Sequence, residues 1–500
     1  MTGPVVETSN GRIEGARAPG YESFLGIPYA APPLGPARFR APGPVEAWSG
    51  VRSACAFGPA APQLPSPLEN VLGAPPLVSD EGGCLTLNVW TPRADSGRRP
   101  VMVWIHGGAF VTGSGSTPWY DGARFAAHHD VVVVTINYRL GVLGFTFLAE
   151  LAGPDYQGSG SVGIQDQAAA LGWVRDNIVG FGGDPGNITI FGESAGGMSV
   201  GTLLALPEAS GLFHKAILQS GAASNAMEPE QATEHAIALL DALGLEPAEA
   251  SRLSDLPLEA LLEAQGKLAL AYAERGMMFQ PVVDGQVLDR RPLDAVSGGS
   301  AAGMPLLVGT NLDEWNLFTA MDPRFSATDD AGLEKAARGL FGSGGPAAVA
   351  TYRGRRPEAT PAELVSAMTT DNVFRVPAIR LAEAQQKAGG SVWMYLFDWP
   401  TPAWGGRFGS CHALEIPFVF DNLHQPGASM FVGDEPPAGL AVTMNAAWAA
   451  FARHGRPGGT GMEEWPPYEP GSRSTMVLGL ATGVREDPMG EERALWDGVK

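Results

Sequence analysis

The sequence predicts an α/β fold in which a central, mostly parallel but mixed β-sheet is flanked by helices. Three observations carry that reading. Short, β-rich apolar runs recur along the chain, helical stretches alternate with them, and one run ends in a sharp glycine-flanked turn, GESAG, before a stretch of small residues.

Taken in order, VMVWI (101–105) and VVVVTINY (131–138) are bounded by Pro, Gly or Asp and read as buried strands. QDQAAALGWVRDNIVGF (165–181) instead spaces Ala169, Leu171, Trp173, Val174 and Ile178 at helical intervals. GGDPGN (182–187) is expected to stop that helix, and strand ITIF (188–191) then leads into Ser194. HKAILQSG (214–221), MPLLVGT (304–310) and SVWMYLF (391–397) read as further strands. Residues 229–275 and 328–387 are rich in Ala, Leu and Glu with helical periodicity, so they are expected as helical insertions over the sheet, shaping a pocket mouth. No linker and no repeat of fixed period divides the chain, so residues 1–500 are read as one domain.

Composition excludes several function classes. With 45% hydrophobic and 17% charged residues, the chain can bury a large core and is too polar to span a membrane. A formal net charge of −20 repels phosphates and anionic headgroups, so neither nucleic acid nor membrane is an expected partner. The opening residues MTGPVVETSNGRIEG lack the basic and apolar segments of an export signal, which makes the cytoplasm the expected compartment. The three cysteines, Cys55, Cys84 and Cys411, show none of the paired spacings of zinc or redox sites and are expected as buried free thiols. No metal or organic cofactor is expected, and a monomer is expected, with a homo-oligomer as the alternative.

Gly192, Ser194 and Gly196 fit G-x-S-x-G, the strand-to-helix elbow that lifts a serine oxygen clear of a sheet. The bare pattern is common; here it follows an apolar strand and precedes AGGMS, the context it requires. A serine hydroxyl is a poor nucleophile alone, so a histidine base and an orienting carboxylate must follow it in the order serine, acid, histidine. His214 and His235 follow Ser194 too closely, leaving His412, His424 and His454. His454 sits at the end of an amphipathic helix, where it serves terminal carbonyls, and His424 reads as a loop residue. His412 follows the glycine-rich WGGRFGS and is the best base on local context. For the acid, Asp313 and Glu314 both follow a strand, and the residues alone leave the choice open. In WIHGGAF (104–110) paired glycines follow a strand, so the N–H groups of Gly107, Gly108 and Ala195 are candidates for the oxyanion hole. A simple tight turn is the alternative at His106.

With these motifs in order, the sequence resembles the type-B carboxylesterases, the cholinesterase-like branch of the α/β-hydrolase fold that includes bacterial para-nitrobenzyl esterases. Nearly the whole chain takes part, through FLGIPYAAPPLGPARF (24–39), LNVWTP (87–92), NYRLGVLGF (137–145), FGGDPGNITIFGESAGG (181–197), LQSGA (218–222) and PVVDG (281–285). The resemblance implies a serine esterase acting on small-molecule esters, with Ser194 as nucleophile, Glu314 as acid and His412 as base. It places the oxyanion hole at Gly107, Gly108 and Ala195, with Glu193 and Ser220 supporting the triad.

Three departures stand out. Ala61 occupies the position of a cysteine that commonly closes a loop in the family, which leaves Cys84 unpaired. Residues 63–83 contain no tryptophan to hold a quaternary ammonium, so choline esters are not the expected substrates. Trp315 follows Glu314 where the family often has glycine.

Phe110, Trp119, Phe279, Trp315 and Trp404 are candidate pocket aromatics, with core packing the competing explanation. GSGSVG (158–163) fits G-x-G-x-x-G but follows no clear strand, and NIT (187–189) lies in a predicted strand, so neither is read as functional. The rival functions are hydrolysis of amides, carbamates or lactones by the same machinery, and a catalytically inactive binding module. Retention of Ser194, Glu314, His412 and the paired glycines argues against the second.

Overall fold

The apolar runs at 101–105 and 131–138 become adjacent parallel strands whose side chains alternate between two cores. Val101, Val103, Ile105, Val132 and Val134 enter one cluster, and Met102, Trp104 and Val133 the other. Burial on both faces explains why these segments read as continuous β-branched runs. The computed structural model describes residues 3–66, 77–272, 276–459 and 461–499. Residues 67–76 of the 63–83 loop and 273–275 at the end of the first helical insertion lie outside them.

The sheet has eleven strands. In chain order they are β1 (Ala16–Ala18), β2 (Tyr21–Pro28), β3 (Thr86–Thr91), β4 (Arg99–Ile105), β5 (Val132–Ile136), β6 (Gly183–Glu193), β7 (Lys215–Gln219), β8 (Leu306–Asn311), β9 (Val392–Phe397), β10 (Ser474–Leu478) and β11 (Gly483–Glu486). Across the sheet the order is β11-β10-β9-β8-β7-β6-β4-β5-β3-β2-β1. Pairing is parallel from β10 to β5, with antiparallel strands at both edges. A small separate sheet joins Val5–Thr8, Gly11–Glu14 and Val51–Ser53.

Helices cover both faces. α1 (Val162–Asn177) and α2 (Ala195–Leu203) pack into the first core. The first helical insertion carries α3 (Pro229–Ala242) and α4 (Leu258–Ala271). The second carries α5 (Asp330–Phe341), α6 (Gly345–Arg355), α7 (Pro361–Thr370) and α8 (Val376–Lys387). Leu333, Ala337, Tyr352, Leu364 and Met368 of α5 to α7 form their own small core, but α8 places Ala378, Leu381 and Ala382 in the first core. The second helical stretch thus ends in a sheet-covering helix. α9 (Ala438–His454) covers the opposite face, and α10 (Gly490–Ala494) lies near the C-terminus.

Two expectations need correction. Strand β6 starts at Gly183, not at Ile188: Arg99 N donates to Gly182 O at 2.8 Å, which carries the pairing of β4 and β6 back to the glycines. Cys84 and Cys411 are buried free thiols, but Cys55 is exposed, because it follows the wholly exposed edge strand Val51–Ser53. Beside Cys84, Arg38 and Glu81 form a buried two-bond ion pair of 2.6 and 2.7 Å. Arg38 also donates to Leu256 O at 2.7 Å, which ties this loop to the first helical insertion.

The GSGSVG segment forms a short turn, Ser159–Ser161, that runs into α1. Its hydroxyls accept from Leu148 N and Val282 N, an ordinary structural duty.

Candidate active site

Ser194 stands between β6 and α2 with φ 55° and ψ −126°, a backbone state that a serine adopts only when its surroundings impose it. The flanking glycines leave no room for a side chain. A Cβ at Gly196 would lie 2.0 Å from Ile105 O, and one at Gly192 would lie 2.6 Å from the carbonyl carbon of Gly196. Ser194 N donates to Gln219 O at 2.9 Å, and Met198 N to Ser194 O at 2.8 Å, so the elbow is anchored on both sides.

The loop after β4 lies against the serine. A Cβ at Gly107 would come within 3.0 Å of Ser194 Cβ and 2.9 Å of Glu193 Oε2. Gly108 takes φ +107°, and Ala109 and Phe110 follow with φ 52° and 61°, so the loop bends sharply away from the strand. Tyr138 donates its hydroxyl to His106 O at 2.8 Å and stacks on the His106 ring. Burial pushes His106 down to about 4, which keeps this structural ring neutral. Ala195 opens α2, so its N–H is among the helix's orphan donors, on the side where the helix dipole favours negative charge.

Asp313 and Glu314 both reach the loop that carries His412, one through the backbone and the other through the ring. Glu314 Oε2 lies 2.6 Å from His412 Nδ1. Asp313 clamps the backbone: its N–H donates to Ser410 O, and its Oδ2 accepts from Ser410 N, both at 2.9 Å. Glu314 is itself fixed, since Oε1 accepts from Asn311 N at 2.8 Å. Asn311 Nδ2 donates to Cys411 O and to Glu415 Oε2, each at 2.7 Å.

Carboxyl groups surround His412. Glu193 Oε1 lies 3.1 Å from Nε2, without the alignment of a hydrogen bond. Burial opposes the charged imidazolium, but Glu193 and Glu314 outweigh it and raise the His412 pKa. Burial drives Glu193 well up, against the pull of His412. Burial and then the Glu314 charge push Glu415 up to about 7, although the Gln219 and Asn311 amides hold its carboxylate. Ser220 sits at φ 46° just past β7; it is fully buried, and its hydroxyl has no partner among the described residues. No group of three or more His, Cys, Asp or Glu side chains among the described residues is arranged to hold a metal ion, and none of their helices is long and apolar enough to cross a membrane.

The family model of the carboxylesterases matches residues 2–496. The chain belongs to the carboxylesterase family. As a member it is a carboxylic ester hydrolase. A para-nitrobenzyl esterase of Bacillus subtilis (strain 168) is 42% identical over 501 residues, covering 99% of this chain and 98% of that protein. A phenmedipham hydrolase of Pseudarthrobacter oxydans is 36% identical, covering 96% of each. A Geobacillus stearothermophilus carboxylesterase of known crystal structure aligns with a TM-score of 0.89 at 46% identity, over 98% of this chain and 99% of that one. These likenesses bear out the α/β-hydrolase fold expected from the sequence.

Of the aromatics singled out in this esterase, Phe110 and Trp119 are core residues packed on Phe145 and Phe431, Phe279 is buried in the first core, and Trp404 is partly exposed with its indole N–H donating to Met430 O. Trp315 does stand near the site, against Phe318 and Phe374. Those two rings, which sequence reasoning missed, flank the His412 imidazole at 5.3 and 4.7 Å between centroids. Glu415 was also missed, though its position three residues after the histidine was a readable signal. Phe374 lies on a helical segment with no motif to mark it.

Proposed function

We propose that this esterase hydrolyses small-molecule carboxylic esters in two steps, with Ser194 as nucleophile, His412 as base and Glu314 as the acid that orients it. The observation that carries the assignment is the 2.6 Å contact between Glu314 Oε2 and His412 Nδ1. It favours the tautomer with the proton on Nδ1, which leaves Nε2 to accept one.

In the first step, Ser194 Oγ attacks the carbonyl carbon as Nε2 takes its proton, and the N–H groups of Gly107, Gly108 and Ala195 receive the developing oxyanion. The bond to the alcohol oxygen then breaks, and that oxygen takes the proton back from His412, leaving an acyl-serine. In the second step, His412 takes a proton from water, the hydroxyl adds to the acyl carbon, and the serine leaves with the proton as the acid is released. Glu193 and Ser220 support the triad from the ends of β6 and β7. All the chemistry is supplied by side chains and backbone, so no cofactor enters the scheme.

A burst-phase assay with a para-nitrophenyl acyl ester, with intact mass at early times, tests the scheme in wild type and Ser194→Ala. A burst and an acyl adduct in wild type alone are expected, with turnover reduced by about 10⁴-fold or more in the variant. Turnover that survives in the variant overturns the nucleophile assignment. A parallel panel of anilides separates ester from amide specificity.

A further inference from the structure

Between α7 and α8 the backbone makes one π-helical turn, Asp371–Arg375. Such a turn holds one residue more than an α-helical turn and rotates the succeeding residues by about 100° around the helix axis. The extra residue lets one continuous helical segment serve three surroundings. Leu364 and Met368 enter the small core of the second insertion, and Ala378 and Leu381 enter the core under the sheet. Between them, Thr370 and Phe374 face the active site. Thr370 Oγ1 accepts from Trp315 N at 3.0 Å, next to Glu314. The Phe374 ring packs on His412, tilted 38°.

The turn is locked by buried charge. Arg375 and Asp371, 5% and 3% exposed, pair through bonds of 2.5 and 2.6 Å. Asp371 also accepts the Tyr352 hydroxyl, which in turn accepts from Trp496 Nε1 at 3.0 Å. Arg375 donates to Pro488 O at 3.3 Å, Glu492 pairs with Arg356, and Arg380 of α8 donates to Trp496 O and Val499 O. Residues 488–499 therefore clamp the turn from outside. Desolvation offsets most of the attraction in such a buried pair, so its effect is to impose one geometry more than to add stability.

The imidazole needs that geometry. Its aligned side-chain hydrogen bond, from Nδ1 to Glu314, leaves the ring free to swing about it. Of the two rings beside it, Phe318 is 44% exposed and Phe374 is 3% exposed, so Phe374 is the fixed wall. We propose that the turn Asp371–Arg375, clamped by the C-terminal residues 488–499, is a positioning element that seats Phe374 against His412 and thereby holds the imidazole toward Ser194. The proposal rests on His412 being the base.

The test compares kcat and KM for para-nitrophenyl butyrate in wild type, Phe374→Ala, Phe374→Tyr, Tyr352→Phe, Asp371→Asn and His412→Ala, each with a thermal melt. Phe374→Ala is expected to lower kcat about 10- to 100-fold with KM nearly unchanged, the scale of a small misplacement of a reacting group. Phe374→Tyr, which keeps the ring, restores most of it. Tyr352→Phe and Asp371→Asn lower kcat in the same direction without touching the site. A residue that only lined the acyl pocket would instead move KM and chain-length preference. A folded Phe374→Ala with wild-type kcat, or Tyr352→Phe and Asp371→Asn variants changed only in melting temperature, overturns the proposal. If Phe374→Ala melts without cooperativity, Phe374→Leu and Tyr352→Phe decide by the same criterion. Wild-type turnover in His412→Ala would instead defeat the base assignment itself.

Discussion

Ser194 and His412 reach the same site by opposite routes. Around Ser194 the turn is encoded in a short stretch, strand β6, two glycines and the first turn of α2, and the neighbouring strands close on it through Gln219 O and Ile105 O. Around His412 almost every fixed contact comes from far along the chain, through Asn311 at the end of β8, Asp313 and Glu314 just after it, Phe397 O accepting the Ser410 hydroxyl, and Phe374 beyond α7. A nucleophile needs an exposed oxygen on a strained turn, and short-range sterics can supply that. A base needs one direction for a ring that can rotate, and only contacts from several elements supply it.

The contrast predicts how each half fails. The largest effect is expected from Gly196→Ala, because the added methyl would meet Ile105 O at 2.0 Å and must displace the end of β4 together with the Gly107 loop. A loss in kcat/KM of about 10³-fold or more is expected, since nucleophile and oxyanion donors move together. Near-normal kcat/KM in a folded Gly196→Ala would show that the elbow tolerates relaxation.

Asp313→Ala should cost less. It strands the buried Ser410 N–H and loosens the histidine loop, with kcat down about tenfold, whereas Asp313→Asn keeps an acceptor for that N–H and should stay close to wild type. Equal losses in the two variants would mean that the charge of Asp313 matters and not its hydrogen bond.

The smallest effect is one of pH. In the proposed scheme His412 works as neutral imidazole; burial lowers its pKa, but Glu193 and Glu314 outweigh that and raise it above the ordinary 6.5, so kcat/KM should fall as pH drops through that raised value. Glu415 also faces the ring, and the measured limb belongs to the whole cluster. Glu193→Gln removes one anion and should move the limb to lower pH, while Asp313→Asn should leave it in place. A limb unmoved by Glu193→Gln would show that Glu193 is already neutral where His412 titrates.

The same divide governs what could be read in advance. Strands β4 and β5 were legible because both faces are buried and β-branched residues fill them. The Ser194 elbow and the paired glycines were legible because neighbouring backbone comes too close at Gly192, Gly196 and Gly107 for a side chain to fit. His412 was singled out by chain order after Ser194 and by its glycine-rich approach, in line with the family resemblance. Asp313 and Glu314 were indistinguishable on the residues alone, because neighbours on a turn differ only in where they point, and only the family resemblance favoured Glu314; the structure puts Glu314 on the ring and Asp313 on the backbone. The exposure of Cys55 followed from the position of an edge strand, which no residue near it announces.

By itself, then, the sequence determined the sheet and the elbow, which rest on periodicity and short-range sterics that neighbouring residues encode, and it pointed to the family through motifs spread along the whole chain. Only the tertiary structure showed the contact of Glu314 with His412 that the resemblance had implied, that the carboxyl groups of Glu193 and Glu415 crowd the same ring, and that a π-turn held by residues 488–499 sets Phe374 on its face. The reason is physical: a ring's direction and a buried group's charge depend on atoms that come close in space from distant parts of the chain, and spacing along the sequence carries no record of them.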